Sequence, residues 1–228
     1  MRSALTAIVL LLACAAAAAE EAPAPADEAA FSVTRNGKTL GVETMTVPER
    51  SPARARYVSE VALERSTAFR GELVTGPEGA ATSYKVKGRL DGHELELDAF
   101  VLDDKMEFHL TRDGAERRFK VKVPLLCMAF DGELAAHWQS LVDTLDGEGP
   151  WRRATIAPLV MRHVPLSIAR KKTAATASRE GKARPLALFE VKGVKTARVY
   201  ATREGMVVLV EIPADGYVLK RKGWTVKR

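Results

Sequence analysis

Apolar and polar residues alternate almost strictly over residues 84–123, and this pattern limits the fold more than any other feature of the chain. Because successive side chains on a strand point to opposite faces, a period of two predicts strands with one apolar face. Asp91-Gly92, Asp103-Asp104 and Gly114-Ala115 interrupt the alternation and predict tight turns. We therefore expect four consecutive antiparallel strands.

The register of these strands can be tested against charge, since directly opposed residues of an antiparallel pair lie on the same face. The turn at Asp91-Gly92 predicts three pairs of opposite charge on the polar face, namely Arg89 with Glu94, Lys87 with Glu96, and Lys85 with Asp98. The apolar face then carries Leu97, Ala99, Phe108, Leu110 and Val121. Three charge pairs from a single assumption favour this register.

The two ends of the chain repeat the pattern. Asn36-Gly37 predicts a hairpin that places Val33 opposite Leu40. Near the C-terminus, Glu204-Gly205 and Asp215-Gly216 predict two further turns between alternating segments. With additional strands near residues 54–63 and 68–75, we expect ten or more strands in all.

One helix is predicted between the β-rich parts, over residues 132–145, where Leu134, Trp138 and Leu141 fall on one apolar stripe. Residues 171–184 are rich in charged and small polar side chains without a period, so a flexible basic loop is predicted there. Residues 31–228 contain neither a repeat nor a linker. A single β-rich domain is therefore expected over this range.

A sheet of this size with one apolar face must curve and cover that face. The lone helix in the middle of the chain favours a strongly bent open sheet over a closed barrel or a two-sheet sandwich. We predict a mainly β fold, in which a single large curved antiparallel sheet of ten or more strands forms a half-barrel or open barrel. One amphipathic helix is expected to pack on its concave face.

The N-terminus has the features of an export signal: Arg2, an apolar run over residues 4–13 and small residues at 15–19. Two processing routes remain open. Ordinary cleavage would remove a signal peptide of residues 1–19, whereas lipidation of Cys14 would follow from residues 11–14, which resemble the lipobox of bacterial lipoproteins. Residues 20–30 are expected to be a flexible acidic tether, with the folded body beginning at Phe31. We expect a periplasmic protein, or an outer-membrane-anchored lipoprotein if Cys14 is lipidated.

Charge is distributed unevenly along the chain. Residues 31–150 hold 16 Lys and Arg against 20 Asp and Glu, whereas residues 151–228 hold 18 against 5. In an exported protein, a basic surface is expected to meet an anionic membrane surface or an envelope polymer rather than nucleic acid. The residues predicted to make such a contact are Arg152, Arg153, Lys171 and Lys172. The alternative is an ordinary solvated charged surface.

The sequence contains no recognisable catalytic or metal-binding motif. The four histidines are widely spaced, without the ligand spacing of a zinc site. A G-x-S-x-G nucleophile elbow and a glycine-rich phosphate loop are also lacking. Cys127 lies in an apolar stretch, which predicts a buried, unreactive thiol. We therefore expect no enzymatic activity, no cofactor and no metal, and a hydrolase with unrecognised residues is the less favoured alternative.

The order of predicted elements resembles bacterial envelope proteins built as half-barrels, such as the periplasmic lipoprotein carriers and exported proteins with a similar meander. The resemblance covers residues 31–223: the Asn36-Gly37 hairpin, the long meander, the helix with Trp138, and closing strands that end in residues 211–217. It implies a concave apolar surface that can hold an acyl chain or another hydrophobic ligand. The side chains expected to contact that ligand are Leu97, Ala99, Phe108, Leu110, Val121 and Trp138. The alternative function is an envelope interaction or assembly scaffold that contacts an anionic partner through the basic C-terminal half.

Overall fold

The computed structural model describes residues 27–64 and 66–228. The expected signal peptide and Cys14, with the first part of the acidic tether, lie outside the described residues. The first strand begins at Asp27, before the expected start of the folded body at Phe31. Ala29 is buried in the core, so the last part of the expected tether contributes to the sheet.

The described residues contain nineteen strands and one α-helix. The strands are β1 (Asp27–Arg35), β2 (Lys38–Arg50), β3 (Ala55–Leu63), β4 (Thr67–Thr75), β5 (Ala81–Leu90), β6 (His93–Leu102), β7 (Lys105–Arg112), β8 (Ala115–Lys122), β9 (Met128–Ala129), β10 (Trp151–Arg153), β11 (Thr155–Ala157), β12 (Arg162–His163), β13 (Leu166–Lys171), β14 (Thr176–Arg179), β15 (Lys182–Lys192), β16 (Thr196–Thr202), β17 (Val207–Ile212), β18 (Tyr217–Arg221) and β19 (Thr225–Lys227). The helix α1 spans Ala135–Asp143, and short 3₁₀ turns occupy Pro77–Gly79 and Pro213–Asp215.

Sixteen strands form one antiparallel sheet. Their order is β10-β13-β15-β16-β17-β18-β1-β2-β3-β4-β5-β6-β7-β8, with β14 paired to β15 and to β19. The sheet is open and curved, with one helix, as the sequence predicts. The pairing of β1 with β18 joins two parts, which we name the N-terminal wing (β1–β8) and the C-terminal wing (β10 and β13–β19). A small second sheet contains β12, β11 and β9.

The predicted register of the meander is confirmed from β5 to β7. The third turn lies at Asp113-Gly114 instead of the predicted Gly114-Ala115, so β8 is shifted by two residues from its predicted register but keeps its predicted faces. The three predicted pairs of opposite charge lie directly opposite each other on β5 and β6, and each forms an ion pair. On the other face, Ala99 lies opposite Phe108, and Leu97 lies opposite Leu110. The ring of Phe108 stacks on that of Phe119, with centroids 4.9 Å apart. Alternation and turn chemistry therefore specify the register from β5 to β7 and the faces of all four strands.

The helix α1 is shorter than the predicted 132–145 and is more deeply buried. Every residue from Ala135 to Val142 is buried, including His137, Gln139 and Ser140. A surface helix would leave one face in water, whereas a helix covered on all sides lies inside a core. The helix therefore fills the interior of the curved sheet. In the described part of the chain, no helix is long and apolar enough to cross a membrane.

The flexible loop predicted over residues 171–184 is wrong. Residues 176–179 form β14, which pairs with both β15 and β19. Ala175 and Ala177 are buried with Trp224 in a second, smaller apolar cluster that also contains Leu186 and Tyr200. The segment forms a strand whose small side chains are buried in this cluster, and alternating alanines are too weakly apolar to reveal that packing in the sequence.

The predicted turn at Asn36-Gly37 is present, but its predicted register is wrong by one residue. A bulge between Val33 and Thr34 places Val33 opposite Gly41 instead of Leu40. Phe31 consequently lies opposite Glu43. Because a shift of one residue moves every later side chain to the other face, the bulge turns Glu43 toward the concave interior.

Candidate ligand-binding cavity

Glu43 holds the N-terminal end of α1. Its carboxylate accepts hydrogen bonds from the backbone N–H groups of Ala135 at 2.8 Å and Ala136 at 3.3 Å, and from the Ser59 hydroxyl at 2.6 Å. Leu134, at the N-cap position, has no side-chain acceptor for these groups. Burial raises the pKa of Glu43, opposed by these hydrogen bonds. A side chain from strand β2 thus caps the helix.

Two further buried polar residues, His137 and Asp131, connect the first turn of α1 to neighbouring loops. His137 Nδ1 accepts a hydrogen bond from the backbone N–H of Asp131 at 2.6 Å, and Asp131 Oδ1 accepts one from the N–H of Leu159 at 3.3 Å. Burial raises the pKa of Asp131 to about 7 and lowers that of His137 to about 3. The imidazole is therefore neutral at pH 7, and the aspartate joins α1 to the loop after β11.

The remainder of α1 is fixed to both wings. The Tyr57 hydroxyl on β3 donates to Asp143 at 2.7 Å. On the opposite side, the Gln139 amide donates to the carbonyl of Gly205 at 2.9 Å and accepts from the N–H of Val207 at 3.0 Å. These contacts set both the position and the rotation of the helix. They consequently determine where the Trp138 ring lies.

An apolar cavity of about 320 Å³ lies between α1 and the C-terminal wing, and we name it the Trp138 cavity. The Trp138 ring packs edge-on against Phe130, with centroids 4.7 Å apart, and its Nε1 donates to the carbonyl of Gly132 at 2.8 Å. The remaining buried walls come from both sheets and are Ala157, Leu166, Val191, Ala197 and Ile212. This volume lies at the small end of the range for ligand sites.

Two valines at the cavity are largely exposed to solvent. Val160 is 68% exposed and Val194 is 63% exposed, and both line the Trp138 cavity. Single exposed apolar residues are common on protein surfaces, but two at the mouth of one apolar cavity form a continuous path from solvent to the interior. Sequence analysis missed both valines, and the only signal was a β-branched residue in each of two turns.

Four charged residues line the same cavity, and three of them are paired. Glu133 forms an ion pair with Arg35 at 3.2 Å, and Lys195 contacts both carboxylate oxygens of Asp215 at 2.6 Å. The fourth, Arg162, is exposed on β12. Within residues 27–64 and 66–228, Arg162 has no carboxylate partner. The paired charges at the rim cancel, and among the described residues Arg162 remains as one unpaired cation.

The residues predicted to contact a ligand lie in three places. Trp138 lines the Trp138 cavity. Leu97 and Leu110 line a second cavity, also of about 320 Å³, beneath the loop Pro158–Met161. The other three line neither cavity: Ala99 and Phe108 lie in the packed core, and the partly buried Val121 packs against it. The structure therefore separates Trp138 from the residues of the meander.

The four residues predicted to contact an anionic surface also differ in their surroundings. The Arg153 guanidinium donates to the carbonyl of Thr144 at 2.8 Å, so it caps the C-terminal end of α1. Lys171 is paired with a glutamate of β15 at 3.5 Å. Arg152 and Lys172 are exposed. Two of the four cations are thus already engaged within the protein.

Cys127 is buried, as predicted, and burial raises the pKa of its thiol to about 11. In the part of the chain that the structure describes, no group of three or more His, Cys, Asp and Glu side chains is placed to hold a metal ion. His137 and Asp131 have perturbed pKa values but line neither cavity. Their geometry accounts for helix attachment.

Comparisons with protein-family models, with curated proteins and with solved structures gave no match for this chain. The resemblance to half-barrel envelope carriers therefore stays a prediction.

Proposed function

We propose that this is a non-enzymatic cell-envelope protein that binds a lipid or another hydrophobic molecule in the Trp138 cavity. The observation that carries the proposal is the continuity of apolar surface from the exposed Val160 and Val194 to the buried Trp138 ring. A hydrophobic ligand gains about 0.8 kcal/mol for each methylene group that it transfers from water. The cavity offers such a ligand buried walls between helix and sheet, where the sequence pattern predicts binding.

The anchoring of α1 supports a preformed site. Glu43, Asp131 and Gln139 hold the helix at its start, beside its start and in its middle. A site whose walls are already fixed avoids the entropic cost of ordering them when the ligand binds. We therefore expect binding without a large change in secondary structure.

Filling the cavity tests the proposal. Ala197 lines the Trp138 cavity, so Ala197→Phe should occupy the space of the ligand. Ala99 is 1% exposed within the packed core, so the same change there provides a matched control. We expect the tryptophan emission of the wild-type protein to be quenched as it is titrated with 11-(dansylamino)undecanoic acid. Ala197→Phe should reduce this uptake at least about tenfold while keeping most of its stability.

Ala99→Phe should show the opposite behaviour. Overpacking a filled core costs roughly 1 to 3 kcal/mol, so this variant should unfold at lower urea concentration but bind the probe while folded. Wild-type protein that takes up no probe, or Ala197→Phe protein that binds as wild type does, would contradict the proposal. The first result would favour the interaction scaffold, with the basic C-terminal half as the surface to examine.

A further inference from the structure

The charged rim of the Trp138 cavity indicates the kind of head group that a ligand should carry. Arg162 on β12 lies directly opposite Ala157 on β11. Opposed residues of an antiparallel pair share one face, and both residues line the Trp138 cavity. Arg162 is therefore held at the cavity by the same small sheet that supplies part of its wall.

The other rim charges do not compete for a ligand in the same way. Lys195 is bound by both oxygens of Asp215, and Glu133 is bound by Arg35. Within the described residues, Arg162 is the one charge lining this cavity that has no ion-pair partner. A planar guanidinium presents several N–H donors and matches carboxylate and phosphate groups.

We infer that the ligand is a single-chain amphiphile with an anionic head group, whose chain enters the Trp138 cavity and whose head group is bound by Arg162. The inference rests on the proposed function. A volume of about 320 Å³, at the lower end of ligand-site volumes, suits one chain better than two. A carboxylate and a phosphate monoester share the required chemistry, and the experiment below distinguishes them.

The test compares ligands that differ only in the head group. Dodecanoate, dodecyl phosphate, dodecanol and dodecyltrimethylammonium would each displace the dansyl probe from the purified full-length protein at pH 8. We expect the two anionic ligands to bind about threefold to tenfold more tightly than dodecanol, and the cationic ligand to bind most weakly. The ratio of dodecyl phosphate to dodecanoate affinity then assigns the preferred head group.

Arg162→Gln should abolish the preference for anionic ligands and leave dodecanol affinity unchanged. Arg162→Glu should reverse the preference in favour of dodecyltrimethylammonium. Arg152→Gln is the matched control, because Arg152 is also exposed but does not line the cavity. The thermal unfolding temperatures of all three variants should match that of the wild type, as expected if each variant retains the fold.

The outcomes separate the inference from the proposed function. Equal wild-type affinity for dodecanoate and dodecanol would overturn the inference and leave hydrophobic binding intact. Retention of the anionic preference in Arg162→Gln would overturn it as well. A wild-type protein that does not bind the dansyl probe would overturn both proposals. A bound probe that none of the four ligands displaces would overturn the inference alone.

Discussion

The two wings of the sheet are built by different rules. In the N-terminal wing each strand pairs with the next strand in sequence, from β1 to β8. In the C-terminal wing, β13 pairs with β10 and β15, and β14 pairs with the distant β19. Local pairing makes the order of strands in the first wing, and the register from β5 to β7, predictable from alternation and turns. The second wing also depends on contacts between distant segments, and the Trp138 cavity lies against it.

The wings also hold α1 in different ways. The N-terminal wing supplies ionisable side chains, with Glu43 at one end of the helix and Tyr57 near the other. The C-terminal wing supplies backbone groups, which bind the neutral amide of Gln139, and one cation, Arg153, at the C-terminal end of the helix. We therefore expect pH to act on the attachment of α1 mainly through the N-terminal wing and through the Asp131 carboxylate.

The largest expected effect comes from removing the helix cap. Glu43→Ala leaves two backbone N–H groups and the Ser59 hydroxyl without their acceptor. Each unsatisfied buried group costs about 1 to 3 kcal/mol, so we expect a loss of about 3 kcal/mol or more in the free energy of unfolding, measured with urea. Glu43→Gln should lose less, because the amide oxygen still accepts.

Glu60→Ala is the control for this change. Its carboxylate pairs with Arg70 at the surface, where an ion pair contributes about 0.5 kcal/mol or less. Similar losses for Glu43→Ala and Glu60→Ala would show that the N-terminal wing does not hold the helix through Glu43.

The next effect concerns pH and Asp131. Burial raises its pKa from 3.8 to about 7, so the folded state binds a proton that the unfolded state has released between these values. The Asp131 contribution to stability is therefore complete below about pH 4 and is lost as the pH rises through 7. The lowered pKa of His137 has the opposite sign, with a contribution that is complete above pH 6.5 and lost as the pH falls toward 3.

Asp131→Asn should remove one of these two opposing contributions. Relative to wild type, the variant should gain on the order of 3 kcal/mol in unfolding free energy between pH 4 and pH 7.5. Urea unfolding at several pH values measures this difference. Asp113→Asn is the control, since the pKa of the exposed Asp113 is lowered and lies below this window. A constant difference between Asp131→Asn and wild type would contradict the assignment.

The smallest effect compares one charge pair from each wing. Lys87 and Glu96 form an ion pair at 3.2 Å across β5 and β6. Glu96→Lys should cost a few tenths of a kcal/mol, and adding Lys87→Glu should recover most of it. In the C-terminal wing, Glu211 lies opposite Arg198 but is paired with Arg228 at 2.6 Å. A double-mutant cycle on Arg198 and Glu211 should therefore give weaker coupling, and equal coupling would remove this distinction between the wings.

The sequence by itself determined the mainly β fold, the central helix and the register of the meander from β5 to β7. These features follow from side-chain alternation and turn residues, which act between neighbours along the chain. The charge pair of Lys87 and Glu96 was predictable because one turn residue pair fixes which side chains oppose each other. The burial of Cys127 was predictable for a similar local reason, its apolar surroundings in sequence.

Only the tertiary structure decided where the interior is filled and where it is open. A one-residue bulge after Val33 turned Glu43 inward, and sequence alternation alone placed it outward. The Trp138 cavity depends on how α1, the small sheet and the C-terminal wing pack together. Trp138, Arg162 and Ala197 therefore line the same cavity although they are distant in sequence. Alternation specifies which face of a strand is apolar, but the volume left between packed elements depends on all of them together.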